Sequence, residues 1–318
     1  MRTNILITSA GRRVSLVKSF QVELKKLYPD AKVFAADLKP QYSAACQIAD
    51  KFFKVGSIDS PNYINELQEI CNSNNIGIVI PTIDTELKIL SENRHKFIDV
   101  LVLVSDKNFI NICRDKRLTH SFFIQNEISI PKQFDKYNPK FPLFIKPNNG
   151  SLSADIHLIH NKDEISTKFL LEDKYMFMEY LSPTEYSEFT IDLYYDKNSN
   201  LKCVVPRKRI EVRGGEISKG ITTKNEIVSF VKNKLNRISG AIGCLTMQVF
   251  LNNINDQIIG IEINPRFGGG YPLSYFAGAN YPKFIIQEYL LNEEIEYFEG
   301  WEENTLMLRY DSEIIIHE

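Results

Sequence analysis

The stretch of this chain that most constrains its fold is residues 244–272, CLTMQVFLNNINDQIIGIEINPRFGGGYP. At the two-residue period of a strand, Leu245, Met247, Val249 and Leu251 share one face, and Cys244, Thr246, Gln248 and Phe250 share the other. Polar residues 253–257 return the chain into a second strand, with Ile259, Ile261 and Ile263 on one face and Glu262 and Asn264 on the opposite one. If the loop pairs Asn252 with Ile258, antiparallel counting sets Gln248 opposite Glu262, with Cβ atoms about 5 Å apart. Three oxygen-bearing side chains then converge. Such a set suits Mg2+, which keeps several waters and bridges one or two carboxylates to phosphates. Arg266 follows Pro265 as a fixed cation, and Gly268, Gly269 and Gly270 admit a ligand close to the backbone. An ordinary hairpin with a polar face toward water would show the same pattern, so the rest of the chain must decide.

The N-terminal third alternates strand and helix. Residues 4–8 are a short apolar run, 9–13 a turn, and 14–28 carry helical spacing in Leu16, Val17, Phe20, Leu24 and Leu27. Strand-like runs at 32–36, 52–55, 77–80 and 100–104 alternate with helical stretches at 43–49 and 61–72. This is the order of a doubly wound α/β sheet. Ligands of such sheets bind beyond the carboxyl ends of the strands, where Arg12, Asp37, Asp84 and Glu86 lie. The first turn has Gly11 alone, without the further glycines that admit a pyrophosphate, which speaks against a nicotinamide-dependent dehydrogenase. Asp37 is a strand-end cap or a substrate contact.

Beyond residue 105 the texture changes. Residues 106–124 read as helix, with Arg114, Asp115, Lys116 and Arg117 concentrated in it, as a solvated face would also have. Residues 141–147, FPLFIKP, form a buried strand that delivers Lys146 just before the polar run 148–155. Backbone N–H groups and hydroxyls of Gly150, Ser151 and Ser153 suit phosphate oxygens, although small polar connections are common. Residues 156–159 resume as a partner strand, so the loop joins two strands, whereas a Walker P-loop runs from strand into helix. The apolar strand 175–180, the connector 181–186 and the strand 189–195 suit an adenine slot, with Glu179, Glu185 and Glu188 between them. Residues 201–205 and 206–213 read as a strand pair ending at Gly214 and Gly215, with Arg207, Arg209 and Arg213 on one face. Such a stripe is a solvated edge or an anion site. Helices over 225–240 and 281–291 and an apolar strand over 305–316 complete the reading.

Composition narrows the partners. A formal net charge of −2 over 318 residues leaves no electrostatic footprint for nucleic acid or membrane, and small polar or anionic molecules are expected instead. The five cysteines are scattered without C-x-x-C spacing and read as reduced core thiols. The opening MRTNILITSAGRR has too short an apolar run for a signal peptide, and no segment reaches membrane-spanning length, so a cytoplasmic protein is expected. The five histidines have no metal-ligand spacing, and no Ser-His-Asp or Cys-His set suggests itself.

Taken in order, these parts resemble the ATP-grasp superfamily, specifically the short proteins related to the large subunit of carbamoyl phosphate synthase and to amino-acid ligases. The likeness spans roughly residues 4–291, and Gln248 followed by Glu262, Asn264 and Arg266 is its most specific element. It implies a Rossmann-like domain at 1–107, then a two-subdomain ATP-grasp domain at 108–318 with a lid at about 118–178. It also implies Glu262, Asn264 and Gln248 as ligands of Mg2+, for which Mn2+ could substitute, and Lys116 and Lys146 on the phosphates of ATP. Glu179, Tyr180 and Leu181 match the adenine hinge, and Glu188 matches the ribose carboxylate, with Glu185 its competitor. Residues 149–154 match the loop over the phosphates, although Ala154 stands where relatives often keep glycine and Leu152 interrupts the small residues.

The implied chemistry is attack of a carboxylate on the γ-phosphate of ATP, releasing ADP and giving an acylphosphate that an amine opens. Arg266 would steady the transferring group. Arg207, Arg209 and Arg213 are candidate phosphate or carboxylate contacts, with specificity coming from Arg12, Asp37, Asp84 and Glu86. Phosphoryl transfer asks mainly for positioning and charge neutralisation, which these parts supply. Bicarbonate activation of the carbamoyl-phosphate type is the alternative, weaker for a single ATP-grasp unit. A regulatory ATP-binding module without turnover is another. The expected partners are a small carboxylate and a small amine, with the oligomeric state open and a homodimer among the options.

Overall fold

The computed structural model describes residues 2–149 and 155–317. The chain begins with β1 (Asn4–Thr8), α1 (Val14–Leu27), β2 (Val33–Asp37), α2 (Ala44–Ile48), β3 (Lys51–Lys54), α3 (Tyr63–Ser73), β4 (Ile76–Pro81), α4 (Asp84–Asn93) and β5 (Leu101–Val102). The strands form one parallel sheet in the order β3-β2-β1-β4-β5, the doubly wound arrangement expected. Near-continuous apolar strands suit it because both faces are covered. Leu6 and Val79 pack toward α3 and α4 through Leu67, Leu87 and Leu90, while Ile5 and Ile7 face α1 and join the main core.

Two helices follow, α5 (Lys107–Arg114) and α6 (Lys116–Gln125). The single helix expected over 106–124 is broken at Asp115, which adopts an extended conformation and accepts from the Arg117 N–H as an N-cap. A three-stranded antiparallel sheet comes next, in the order β7-β6-β8, from β6 (Leu143–Pro147), β7 (His157–Ile159) and, after α7 (Thr167–Leu171), β8 (Tyr175–Glu179).

The largest sheet comprises β9 (Tyr186–Tyr195), β10 (Leu201–Arg213), β11 (Glu216–Thr222), β12 (Gly243–Asn252), β13 (Ile258–Asn264) and β14 (Leu306–Leu308), with α8 (Glu226–Lys234), α9 (Tyr271–Phe276) and α10 (Tyr281–Leu290). Its order is β13-β12-β9-β10-β11-β14. Three expectations are corrected here. Residues 201–213 are one long strand, and its hairpin partner is β11, reached through Gly214 and Gly215, both at positive φ. The helix expected over 225–240 stops at Lys234, and the tail strand expected over 305–316 pairs only at Leu306–Leu308. Packing of α1 on α9 and α10, with Phe20 edge-on to Phe267 at 5.9 Å, brings the first βα turn to the mouth of the large sheet. Among the described residues no helix is long and apolar enough to cross a membrane.

Candidate functional site

A cleft of about 660 Å3 lies where the three sheets meet. Its floor is the hairpin of β12 and β13. Gln248 pairs with Glu262 and Thr246 with Asn264, as counting predicted, but the strands slip by one residue beyond Gln248, so that Val249 faces Gly260 and Leu251 faces Ile258. The cause is packing. A Cβ on Gly260 would come within 2.8 Å of the Phe123 ring, and the Gly260 N–H donates to the Ser129 carbonyl at 2.8 Å. The slip turns Ile261 out of the apolar face expected for it and into the cleft beside Glu262, with Phe250.

Glu262 is the hub of this floor. Its Oε1 accepts from the Gln248 amide at 2.8 Å and the Asn264 amide at 3.0 Å, and its Oε2 lies 3.8 Å from Lys116 Nζ. The three side chains fit Mg2+ as a donor set, since turning over the two amides would present three oxygens to one point. Glu262 is the only carboxylate of the three. Among the described residues no group of three or more His, Cys, Asp or Glu stands ready for a metal.

The lysines arrive from two directions. Lys116 begins α6, and its backbone N–H donates to the Asn148 carbonyl at 2.8 Å, tying that helix to the end of β6. Lys146, on β6, is buried at 6% exposure. Burial lowers its pKa to about 8, opposed by Glu262 and reinforced by Lys116. Behind them His120 is buried, its pKa lowered to about 4 by burial and by Lys146, and it exchanges a hydrogen bond with Gln133 through Nδ1. Gly150, Ser151 and Ser153 of the expected phosphate loop lie outside the described residues.

Of the carboxylates expected near the nucleotide, Glu188 lines the cleft and Glu185 is exposed away from it. Arg209 Nη1 donates to Glu188 Oε1 at 2.5 Å and to Gln248 Oε1 at 3.4 Å, linking the two. Burial pushes the Glu188 carboxyl up, against the pull of Arg209. Glu179 and Leu181 are not among the residues lining the cleft, nor is Tyr180. The Glu179 carboxylate accepts from the Lys132 N–H at 3.0 Å, which fixes the end of β8.

The three strand arginines do not share a role. Arg207 lines the cleft at 1% exposure and is ion-paired with the fully buried Asp192, its Nη2 donating at 2.9 Å and its Nε 2.8 Å from the carboxylate. Arg209 faces the cleft. Irregular pairing between Arg209 and Val212 moves Val212 into the cleft and Arg213 outside it, where it pairs with Asp311 at 2.6 Å.

The strand ends of the parallel sheet sort similarly. Arg12 is exposed, and Arg13 lines the cleft in its place. Asp37 accepts from the Gly11 N–H at 3.0 Å and is the strand-end cap. Glu86 is fully buried and contacts no ligand space. It binds Ser9 Oγ at 3.0 Å, Tyr63 Oη at 2.8 Å and the Thr82 N–H at 2.9 Å, and burial raises its pKa. It thereby joins the two loops that face the cleft, with Ser9 held at φ 50° and Gly11 at 48°. Asp84 does line the cleft, accepting from Arg266 Nη2 at 2.6 Å.

Sequence reading missed Arg13, Glu216 and Arg309. Glu216 lines the cleft at the start of β11, 3.4 Å from Arg13 and 2.9 Å from Arg309, and Arg309 also donates to the Gly269 carbonyl. Only the turn at Gly214 and Gly215 could have signalled Glu216. Arg309 lay in a tail that offered no chemical pattern.

Comparison with known proteins follows the same lines. Residues 5–104 match the profile of a PylC-like N-terminal domain, and residues 172–309 match that of an ATP-grasp domain in the biosynthetic pathway with Ter operon. No curated protein sequence matches the chain. Among solved structures it is similar to N5-carboxyaminoimidazole synthetase from Staphylococcus aureus complexed with ADP, at 17% identity and TM-score 0.69, covering 96% of this chain and 79% of that one. It is similar to the L-amino acid ligase from Bacillus licheniformis at 16% identity and TM-score 0.69, over 93% and 76% of the two chains. Against Rhizobium etli pyruvate carboxylase, at 11% identity and TM-score 0.66, 87% of this chain spans only 27% of that protein.

Proposed function

The chain is an ATP-grasp protein with a PylC-like N-terminal domain, and from that premise we propose that it is an ATP-dependent ligase that activates a carboxylate as its acylphosphate and joins it to an amine. One observation carries this reading: Lys116, Lys146 and the Gln248–Glu262–Asn264 set converge on one floor, with Arg266 one step beyond. A bound Mg2+ would be held by Glu262, Asn264 and Gln248 and would supply charge neutralisation along the phosphates. Lys146 and Lys116 bind the phosphate oxygens, Glu188 faces the ribose, and Ile261 and Phe250 give the base an apolar slot.

The carboxylate oxygen attacks the γ-phosphorus in line, the bond to the β-γ bridging oxygen breaks, and ADP departs. The amine then attacks the acyl carbon, phosphate leaves with the bonding pair, and the amine loses a proton. Arg266 steadies the negative oxygens in both steps, its own position set by Asp84. No protein nucleophile is needed, in keeping with the buried state of Cys46, Cys71, Cys203 and Cys244. ADP release, scored with Mg2+ and ATP across a matrix of acids and amines, tests the reading. ADP that requires one particular acid and one particular amine supports it. Tight Mg2+·ATP binding with no turnover across a broad matrix would count against a ligase.

A further inference from the structure

The two edges of the large sheet are treated differently. On one side β13 is covered, since the Gly260 N–H donates to the Ser129 carbonyl at 2.8 Å and Ser129 bridges Ile259 in parallel. On the other side β14 is the last strand. It pairs Leu306 with Ile221, Met307 with Gly220 and Leu308 with Lys219, while the Arg309 N–H donates to the Ser218 carbonyl at 2.9 Å and the Thr222 N–H to the Thr305 carbonyl at 3.1 Å. Antiparallel bonds alternate, so the main-chain groups of 305, 307 and 309 point into the sheet and those of 306, 308 and 310 point away from it. Side chains follow the same parity. Arg309 reaches Glu216 and the Gly269 carbonyl on the cleft side, whereas Leu306, Leu308 and Tyr310 are 54%, 61% and 80% exposed on the outer face, beside the half-buried Ile221. An exposed edge is ordinarily guarded by charge, proline, a bulge or brevity, as β3 is by the exposed Lys51 and Lys54 at the edge of the parallel sheet. Residues 304–310, NTLMLRY, hold a single charge, Arg309, and it is turned inward.

We infer that the outer edge of β14 is an interface between two copies of this chain, joined antiparallel about a two-fold axis through Leu308. Outward main chain must meet outward main chain, so the axis passes through a residue rather than between two. An axis at Met307 sets Tyr310 against the partner's Asn304, and one at Arg309 sets Leu306 against the partner's Ser312. Only the axis at Leu308 matches all three exposed apolar side chains, with Leu306 opposite the partner's Tyr310 and Leu308 opposite the partner's Leu308. On the other face Met307 meets the partner's Arg309 and Thr305 the partner's Asp311, so no like charges oppose each other within 305–311. This register forms about six main-chain hydrogen bonds and removes the outer apolar strip from water. Each copy's edge is consumed by the same edge of its partner, so the assembly closes at two copies. The pairing does not depend on what the cleft binds, but it holds from both sides the strand that carries Arg309 to the cleft wall.

Sedimentation equilibrium on the full chain, from about 1 to 100 µM, should show a monomer–dimer equilibrium or a stable dimer. Leu308→Lys puts two ammonium groups face to face on the axis and should weaken self-association by about tenfold or more. Cross-linking reads the register. Leu308→Cys should give a disulfide-linked dimer on mild oxidation, since directly opposed Cα atoms lie about 5.5 Å apart. Leu306→Cys alone should not, whereas a mixture of Leu306→Cys and Tyr310→Cys should link one to the other. The wild-type chain is the control for its own cysteines, four of which are buried. Leu308 is exposed, so its replacement leaves the core intact, and circular dichroism checks this; if the lysine variant fails to fold, the pattern of cross-links decides. A wild-type chain that stays monomeric throughout, or one that grows beyond two copies, would overturn the inference and leave the edge to a different strand. So would a dimer that keeps its affinity in Leu308→Lys and gives no link through position 308, because its interface would then lie elsewhere.

Discussion

Gln248 and Glu262 face each other across the β12–β13 hairpin, the amide of one donating to the carboxylate of the other at 2.8 Å. The pair puts a neutral amide next to a charged carboxylate on the floor of the cleft, beside an arginine that already reaches both Gln248 and Glu188. Removing the one charge should therefore be decisive. Glu262→Gln is expected to lower Mg2+-dependent ADP formation by about a hundredfold or more while the melting temperature stays within a few degrees. Turnover at the wild-type rate would take Glu262 out of the metal site.

The converse change should act on metal affinity. Gln248→Glu adds a second carboxylate opposite the first, and Arg209 is placed to offset part of the repulsion. The Mg2+ concentration for half-maximal ADP formation, or for nucleotide binding, should fall by roughly severalfold, since ligand charge sets the affinity of oxygen sites. An unchanged or higher requirement would mean that Gln248 does not reach the ion.

Lys146 makes nucleotide binding pH-dependent in a stated direction. Its pKa is lowered to about 8 by burial, so in the free protein the ammonium is lost as pH rises through that value, well below the ordinary lysine range. Phosphate oxygens favour the ammonium, so ATP binding between about pH 8 and 10 should take up a proton, and affinity should decline across that window. For folding the sign is opposite to that of a stabilising pair. The buried ammonium costs stability below the folded pKa, and the cost fades as pH rises. Calorimetry in buffers of different ionisation enthalpy reads the proton directly. Lys146→Arg, whose guanidinium does not titrate in this range, should abolish the uptake.

The parts that were legible in the sequence are those encoded by local periodicity. Apolar runs broken by Gly11 and the acidic strand ends specified the parallel sheet, and alternation along 244–264 placed Gln248 against Glu262. What periodicity cannot carry is an irregularity imposed by a distant partner. The slip at Gly260 is set by Phe123, more than a hundred residues earlier, and it alone puts Ile261 in the cleft. The arginine stripe failed for the same reason: alternation from Arg207 to Arg213 assumed a regular strand, and the irregular pairing after Arg209 sends Arg213 outward. Glu86 and Arg12 show another limit. Their residue types announce charge near a strand end, but only packing determines that Glu86 turns inward to Tyr63 and that Arg13 takes the place expected of Arg12.

Arg207, on the wall of the cleft, forms a buried ion pair with Asp192, which also accepts from Ser274 Oγ at 2.6 Å. Breaking it should cost the fold more than the chemistry. Arg207→Met leaves an uncompensated carboxylate in the core and should destabilise the protein by about 3–5 kcal/mol, read from denaturant unfolding. The double change Arg207→Met with Asp192→Leu should recover much of that stability, because the isolated charge is gone. A single variant as stable as wild type would place Arg207 outside the supporting framework.

Gly269 offers a test that separates the two ends of the cleft. Its missing Cβ leaves the space between Glu216 and Arg13, whereas the Gln248–Glu262–Asn264 floor lies on other strands. Gly269→Ala forces the Glu216 carboxylate or the Arg13 guanidinium to move by a few tenths of an ångström or more, and a flexible side-chain end can yield that without unfolding the chain. Nucleotide affinity should change by less than about twofold, while the KM for the acid or amine rises by about tenfold or more, the pattern of a lost contact made equally in ground and transition states. Steady-state kinetics with the nucleotide saturating, alongside direct titration of the ATP analogue, reads both quantities. If the two affinities fall together, the glycine run serves the phosphates and Arg13 with Glu216 belongs to their framework.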